Sequence, residues 1–182
     1  MKHSIFWALT FGLVSVVHLA AQTKISGTLT CAKPDPEYTI DVGDRAGHLF
    51  ALAKSACSWT RPMQIQGVDT KDSHDVNIVD GDDANSDSNG YDISNMANGD
   101  KVFIRFRGTD KSAKDGKRLS SGTWRYIGGT GKFKGIMGKG TYKGGPDASG
   151  NYINEIDGDY TLPAKDAVRL STFRVLRHLG LQ

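Results

Sequence analysis

Glutamate is nearly absent from this sequence, and its absence argues against a helical protein. Only Glu37 and Glu155 are glutamate among the 20 acidic residues, and the others are aspartate. Aspartate and the 22 glycines favour turns, whereas glutamate and alanine favour helices. The composition therefore predicts many short strands that are joined by tight turns.

Long apolar runs are absent after the first 21 residues, which excludes a membrane-spanning helix from the rest of the chain. The start of the chain is basic, the stretch Ile5–Val17 is almost wholly apolar, and small residues precede Gln22. This layout is typical of a secretory signal peptide, and an uncleaved anchor is the alternative. We predict a signal peptide over 1–21, a secreted or periplasmic protein, and no stable membrane insertion after signal removal.

A basic excess is also missing from the predicted domain, residues 22–163. The whole chain has a formal net charge of +3, but this domain carries 18 basic and 19 acidic residues. A nucleic-acid-binding protein needs a basic surface that displaces counterions from phosphates, so we expect no nucleic-acid partner. The basic excess lies in a C-terminal tail, 164–182, which we expect to be helical or disordered.

Cysteine is scarce, and the chain has only Cys31 and Cys57. In an exported protein an even pair of cysteines usually forms a disulfide. A loop of this length adds about 3 kcal/mol of stability, mainly because it restricts the unfolded chain. A metal or redox pair is the alternative, but the spacing is not Cys-x-x-Cys and no histidine pair lies nearby. We therefore predict a disulfide and no metal site.

Apolar residues recur at every second position in several segments, which is typical of strands with one buried face. The predicted inward positions in three of these segments are Val102, Ile104 and Phe106, then Trp124 and Tyr126, and then Tyr152, Ile156, Tyr160 and Leu162. On the opposite face, Arg105, Arg107 and Arg125 form either a solvated outer surface or an anion-binding patch. Eight or so strands at this spacing predict an all-β barrel or sandwich.

The segments 132–143 and 151–162 are predicted to pair as a hairpin. The parity of their apolar positions restricts the register. One allowed register places Lys139 opposite Asp157 and Gly138 opposite Gly158. Paired glycines are typical of the bends that a closed barrel needs.

Motifs for phosphate binding, calcium binding and catalysis all fail on inspection. The segment Gly128–Gly135 is glycine-rich, but Phe133 stands where a phosphate loop requires serine or threonine, so a tight connection between strands is the better interpretation. The acidic loop Asp80–Asp87 departs from calcium-loop spacing because Ser88 replaces the required glycine. The histidines are far apart, although a catalytic triad assembled by the fold stays open. We identify no catalytic residue and expect no cofactor.

Four short segments carry a resemblance to known proteins: Cys31–Asp35, Cys57–Trp59, Met96–Asp100 and the turn Gly128–Gly135. Together they resemble a group of secreted bacterial proteins with no known activity. The turn also resembles the one that ends a strand in the allene oxide cyclase-like and dirigent-like barrels. The resemblance implies an eight-stranded antiparallel barrel that shapes an apolar cavity, and fold analogy alone assigns no function.

Aromatic residues on the inward faces either line such a cavity or fill the core. The candidate cavity residues are Phe106, Trp124, Tyr126, Tyr142 and Tyr160, together with Asn154 as the inward polar candidate in the last strands. We expect a non-catalytic barrel that binds a small apolar ligand inside or a partner on its surface. A cyclase- or isomerase-type enzyme acting on an apolar substrate is one alternative, and a structural protein with a filled core is another. The scarcity of inward polar groups favours binding over catalysis.

Overall fold

The structure is a computed structural model that describes residues 22–113 and 117–163. The predicted signal peptide, 1–21, and the C-terminal tail, 164–182, lie outside the described residues, so both stay predictions. The described chain forms ten β-strands and one short 3-10 helix, Gly131–Phe133. The strands are β1 (Thr23–Cys31), β2 (Glu37–Asp41), β3 (Leu49–Arg61), β4 (Gln64–Ile65), β5 (Val68–Gly81), β6 (Asn85–Met96), β7 (Lys101–Ser112), β8 (Arg118–Gly129), β9 (Met137–Pro146) and β10 (Tyr152–Thr161).

Eight of these strands close into one antiparallel barrel. The order around the barrel is β3-β1-β10-β9-β8-β7-β6-β5, and the pairing of β5 with β3 closes the circle. The all-β antiparallel barrel that the sequence predicts is thereby confirmed. Closure pairs the long strands on both sides, which removes the exposed sheet edges of an open sandwich. The two short strands β2 and β4 are additions to the edge of β3 and β5 respectively.

The strands β1 and β2 lie along the same side of β3 as one interrupted strand. β1 pairs with the end of β3 at residues 57–61, and β2 pairs with its start at residues 49–53. The interruption contains the cis peptide bond Asp35–Pro36. Proline cannot donate a hydrogen bond to a strand ladder, but the backbone N–H of Asp35 donates to Lys54 O at 2.7 Å, and the N–H of Lys54 donates to Pro36 O at 3.0 Å. The chain therefore stays beside β3 between β1 and β2.

A cluster of closely packed side chains, which we call the floor, fills one end of the barrel. Its most deeply buried side chains are Met63, Ile65, Met96, Val102 and Phe133. The 3-10 helix between β8 and β9 brings Phe133 into this floor, as expected for a connection between strands. Gly131 in that helix has φ +47°, and a Cβ there would overlap the Asp100 carboxylate. Only glycine fits both the backbone angle and the space.

In the hairpin of β9 and β10, the side chains lie on the predicted faces of the sheet, but the two strands pair in a different register. Lys139 lies opposite Asp159, and Gly140 lies opposite Gly158, which is a shift of two residues. Parity fixes only which face a residue occupies, so registers that differ by two look alike in sequence. The register is held by Trp124 of β8, whose Nε1 lies 3.2 Å from the carbonyl oxygens of both Thr141 and Asp157.

The predicted disulfide between Cys31 and Cys57 is confirmed. The two residues lie directly opposite each other on β1 and β3, and their sulfur atoms are bonded to each other. Both residues are buried in the same apolar cluster as Leu29 and Trp59. The bond therefore joins two neighbouring strands of the barrel wall at the level where the filled floor gives way to open space.

Candidate ligand cavity and its buried aspartate pair

The half of the barrel above the floor holds a cavity of about 370 Å³. This volume lies in the range of small-molecule binding sites. Residues from the ends of the strands and their connections, among them Pro34, Gly47 and Asp83, lie at its mouth. One wall is apolar and is formed by Leu29, Trp59, Ile104, Phe106, Trp124 and Ile156. The other wall is polar and contains three aspartates, Asp75, Asp92 and Asp110.

Four of the six predicted cavity residues line this space: Phe106, Trp124, Tyr142 and Asn154. The rings of Phe106 and Tyr142 meet edge to face with their centroids 6.2 Å apart. Tyr126 and Tyr160 do not line it, because both are buried in the core. The Tyr160 hydroxyl accepts a hydrogen bond from the backbone N–H of Gln66 at 2.9 Å, which ties it to the connection after β4. Contact between the four lining residues and a ligand stays a prediction.

The most unusual feature of the cavity is the pair formed by Asp75 and Asp92. The two residues lie directly opposite each other on β5 and β6, and both face inward. Burial raises the pKa of Asp75 well above its ordinary value, and the negative charge of Asp92 raises it further. Burial also raises the pKa of Asp92, against the effect of hydrogen bonds from Asp75 and Ser94. The pKa values of both carboxyl groups are therefore raised, which favours protonation of the pair over two buried negative charges.

Asp92 is fixed from the other side by a short chain of hydrogen bonds. The indole N–H of Trp59 donates to Ser94 Oγ at 3.1 Å, and Ser94 Oγ donates to Asp92 Oδ1 at 2.5 Å. Asp75 Oδ2 lies 3.7 Å from the sulfur of Cys31. Asp75 Oδ1 and Asp92 Oδ2 are buried and have no hydrogen-bond partner among the described residues. The pair therefore presents two unsatisfied carboxyl oxygens in a site where Asp92 is oriented by its neighbours.

A second polar cluster lies toward the mouth of the cavity. Arg118 Nη2 donates to Ser86 Oγ at 2.7 Å, and Ser86 Oγ donates to Asp110 Oδ2 at 3.4 Å. Asp110 Oδ1 and Arg118 Nε are buried and have no protein partner among the described residues. Burial raises the pKa of Tyr152 beside them, and the charge of Asp110 adds to that rise. The cluster places an acid and a guanidinium where a ligand would enter.

Tyr142 lies between the aspartate pair and the mouth cluster. Burial raises the pKa of its hydroxyl, and the negative charges of Asp110 and Asp75 act in the same direction. A phenol held protonated in this way donates and accepts hydrogen bonds but does not ionise near neutral pH. No Cβ fits at Gly108, because it would overlap the Tyr142 hydroxyl oxygen. The glycine therefore makes room for the phenol to reach across the cavity.

Sequence reasoning missed Asp75 and Asp92 because alternation on β5 and β6 is inverted, whereas Asp110 lies on β7 in the same inward parity as Val102 and Ile104. Tyr91 and Ile93 lie on the outer face, where they are exposed or half-buried, while Asp92 and Ser94 between them are buried. Hydrophobic parity assigns the apolar residues to the inside and so gives the wrong face. The signal in the sequence is the run of small polar residues at Ser86 and Ser88 in the same parity as Asp92. Such a run is compatible with a strand that lines a polar cavity.

The fold and the cavity together define a class: a single antiparallel barrel with a filled floor, an open mouth and a partly polar interior. No protein-family model and no curated protein matches the sequence. Among solved structures the chain is similar to a pterocarpan synthase dirigent protein, at 12% identity over 83% of this chain and 91% of that chain, with a TM-score of 0.47. At that level the comparison assigns this chain neither a family nor a function.

Two further observations concern metals and membranes. Cys31, Cys57 and Asp75 offer ligand atoms within 4.8 Å of one another, but the two sulfur atoms are bonded to each other and supply no thiolate. Among residues 22–113 and 117–163, no helix has the length and apolar character needed to cross a membrane.

Proposed function

We propose that this protein binds a small amphipathic molecule inside its barrel, with an oxygen of that molecule at the Asp75–Asp92 pair. The observation that carries the proposal is the buried pair itself, which leaves one oxygen of each carboxyl without a partner at the side of a cavity with an open mouth. Buried polar groups cost free energy unless they find partners, and a ligand oxygen is such a partner.

The two walls of the cavity define the chemistry of the ligand. Trp124 and Phe106 offer flat apolar surfaces to a ring or a short hydrocarbon body. The polar wall offers a proton from the aspartate pair and unsatisfied atoms on Asp110, Arg118 and Asn154. A purely apolar ligand would leave those atoms without partners, so a hydroxyl or carbonyl on a hydrophobic skeleton fits better. The cavity volume limits the ligand to a small molecule.

We also propose that the protein acts outside the cytoplasm. The disulfide between Cys31 and Cys57 supports this location, because such bonds persist in oxidising compartments. The predicted signal peptide at 1–21 supports it independently.

Acid–base catalysis in the same cavity is the second candidate function. Paired buried carboxyl groups whose pKa values are pushed apart are a recurring arrangement for proton transfer. The pKa of Asp75 is raised by burial and by the charge of Asp92, so Asp75 would donate a proton to an oxygen of the substrate, while Asp92 would accept a proton from another atom of the substrate. The reaction class is isomerisation or cyclisation of a carbonyl- or hydroxyl-bearing substrate, which needs no cofactor.

Tryptophan fluorescence provides a direct test of ligand binding. A protein that begins at Gln22 contains only Trp59 and Trp124, and both line the cavity. Native mass spectrometry of the protein from its own host, before and after mild organic extraction, would identify a co-purified ligand. We expect an added mass that extraction removes, and a change in fluorescence when the extract is returned to the protein. A bare protein whose fluorescence no hydrophobic alcohol or ketone alters would contradict the proposal.

Matched variants locate the site. Asp92→Asn removes one carboxyl group of the pair, whereas Asp87→Asn makes the same change on the outer face of the same strand. We expect Asp92→Asn to weaken ligand binding at least tenfold, a loss of about 1.4 kcal/mol. Asp87→Asn should leave it unchanged. If the wild-type protein chemically converts the identified ligand and the Asp75→Asn variant does not, the result would support acid–base catalysis as the function.

A further inference from the structure

A groove of about 1290 Å³ runs along the outer wall of the barrel, across β7, β8, β9, β10 and β1. It is built mainly from outward-facing side chains, and Phe106 and Trp124 lie beside both this groove and the interior cavity. Four cations line one side of it: Arg105, Arg107, Arg125 and Lys139. Two acids, Asp157 and Asp159, line the other side. The groove is therefore polarised across the strands.

The cations form a row across neighbouring strands, in which like charges face each other directly. Arg105 lies directly opposite Arg125, and Arg125 lies directly opposite Lys139. Like charges in directly opposed positions destabilise a sheet. Across residues 22–113 and 117–163, no carboxylate lies within ion-pair distance of Arg105, Arg107 or Arg125. An anion bound across the row would relieve this repulsion.

The arginine at the end of the row is held in place by an aromatic ring. The guanidinium carbon of Arg105 lies 5.7 Å from the centre of the Tyr91 ring. This contact orients the guanidinium while leaving its N–H groups open toward the groove. An oriented guanidinium binds a carboxylate through two parallel hydrogen bonds, which a lysine cannot do.

The acidic side of the groove offers acceptors rather than donors. Asp159 is already paired with Lys24, whose Nζ lies 3.5 Å from Asp159 Oδ2. Asp157 lies opposite Thr141 and Ser26, and its carboxylate has no partner among the described residues. A carboxylate of this kind accepts hydrogen bonds from hydroxyl groups. The groove thus presents donors for a carboxylate and acceptors for hydroxyls a short distance apart.

We propose that this outer groove binds an acidic polysaccharide that carries one carboxylate on each sugar. Neighbouring strands are about 4.8 Å apart, so the cations repeat at a spacing comparable to one sugar unit along an extended chain. The carboxylates of successive sugars would bind Arg105 and Arg125, and the ring hydroxyls would bind Asp157. A nucleic acid fits less well, because its dense phosphates would meet Asp157 and Asp159 and it offers few hydroxyl donors.

The test uses the mature chain from Gln22 to Gln182 and polygalacturonate as the probe. Methyl-esterified polygalacturonate has the same backbone without the charge, and single-stranded DNA supplies the alternative polyanion. The double substitution Arg105→Gln/Arg125→Gln removes the proposed contacts. The matched control is Lys54→Gln/Lys71→Gln, which removes the same charge from strands β3 and β5 on the opposite wall.

We expect calorimetry to show binding of polygalacturonate that weakens as salt is added and is absent for the esterified polymer. Arg105→Gln/Arg125→Gln should weaken binding at least about tenfold, and the control pair should change it less than twofold. Asp157→Ala should weaken it as well. The proposal is overturned if polygalacturonate does not bind, or if the control pair weakens binding as much as Arg105→Gln/Arg125→Gln does. It is also overturned if Asp157→Ala strengthens binding of polygalacturonate and single-stranded DNA binds more tightly than polygalacturonate. Unchanged circular dichroism of each variant excludes misfolding as the cause.

Discussion

At the scale of single residues, the protein keeps two carboxyl groups in a place where neither is well solvated. Asp75 and Asp92 face each other inside the barrel, and burial raises the pKa of both. A buried carboxylate is costly, so the raised pKa values favour protonation, which removes negative charge from the pair. This arrangement ties the stability of the fold to pH.

Asp75→Asn should make the protein more stable near neutral pH and flatten the dependence of its stability on pH. Because the folded pKa of Asp75 is raised, the folded state binds more protons than the unfolded state, and stability falls as pH rises above about 3.9, the unfolded value. The introduced amide would donate to Asp92 without a titrating proton. Thermal unfolding of wild type and variant between about pH 4 and pH 8 measures this. A parallel pair of pH curves, or a flattening that Asp87→Asn reproduces, would contradict the account.

At this scale, the sequence predicted the cavity residues correctly on strands whose apolar residues face inward, and it failed on strands whose apolar residues face outward. Trp124 and Phe106 were placed in the cavity wall because apolar residues on β7 and β8 face inward. Asp92 was missed because its apolar neighbours on β6 face solvent instead. The parity rule assumes an apolar interior, so it cannot find the polar half of a cavity.

At the scale of elements, the connection between β2 and β3 is tied to the barrel rim through one histidine. His48 Nδ1 lies 2.5 Å from Asp44 Oδ1, and His48 Nε2 lies 2.7 Å from Asp80 Oδ1 on β5. Both hydrogen bonds raise the pKa of His48, and the one to Asp80 has the larger effect. The positive charge of Arg45 nearby opposes the rise. Gly47 in the same connection lines the mouth of the cavity. The histidine therefore anchors a part of the entrance.

His48→Gln should lower the melting temperature at about pH 6 and have little effect at about pH 9. A histidine whose folded pKa is raised stabilises fully below its unfolded value of about 6.5, and that stabilisation is lost as pH rises through the folded pKa. Melting temperatures of wild type and variant across this range give the difference at each pH. His74→Gln, at a histidine with no ion-pair partner among the described residues, is the control. An equal loss at both pH values would show that His48 acts by packing alone.

The hairpin of β9 and β10 depends on the absence of side chains at one pair of positions. A Cβ on Gly158 would overlap Trp124 Cζ2 and would lie 2.6 Å from the carbonyl oxygen of Lys139. Gly158→Ala should therefore destabilise the protein by about 2 kcal/mol, because the indole or the strand must shift. Urea unfolding followed by fluorescence measures the change, with Thr141→Ala on the exposed face as the control. Wild-type stability of Gly158→Ala would mean that Trp124 does not set the register.

At the scale of the whole molecule, the all-β architecture could be predicted from composition and spacing, whereas its closure into a barrel was implied only by the resemblance. Short alternating segments and turn residues indicate strands, but barrel and sandwich share both. Closure depends on the pairing of β3 with β5 and on the break at Pro36, which lets β1 and β2 share one side of β3. These are contacts between distant parts of the chain, and no local pattern encodes them.

The disulfide should contribute more to the stability of the whole barrel than any other single contact. It closes a loop between residues separated by 26 positions. Cys31→Ser/Cys57→Ser should lower the free energy of unfolding by about 3 kcal/mol, mainly because the unfolded chain regains freedom. Chemical denaturation of the oxidised protein, the reduced protein and the double variant measures the loss. A reduced protein as stable as the oxidised one would refute the estimate.

The division of the barrel into a filled floor and a hollow upper half has a consequence for how such a protein changes over generations. Side chains such as Phe133 and Met63 pack in the floor and do not line the cavity, while the residues around the mouth line open space. If the proposed ligand binds there, substitutions at the mouth should have a mild effect on stability and a strong effect on selectivity. A library randomised at the mouth over a constant floor should yield folded variants with new ligand preferences, which makes the barrel a practical scaffold for directed evolution.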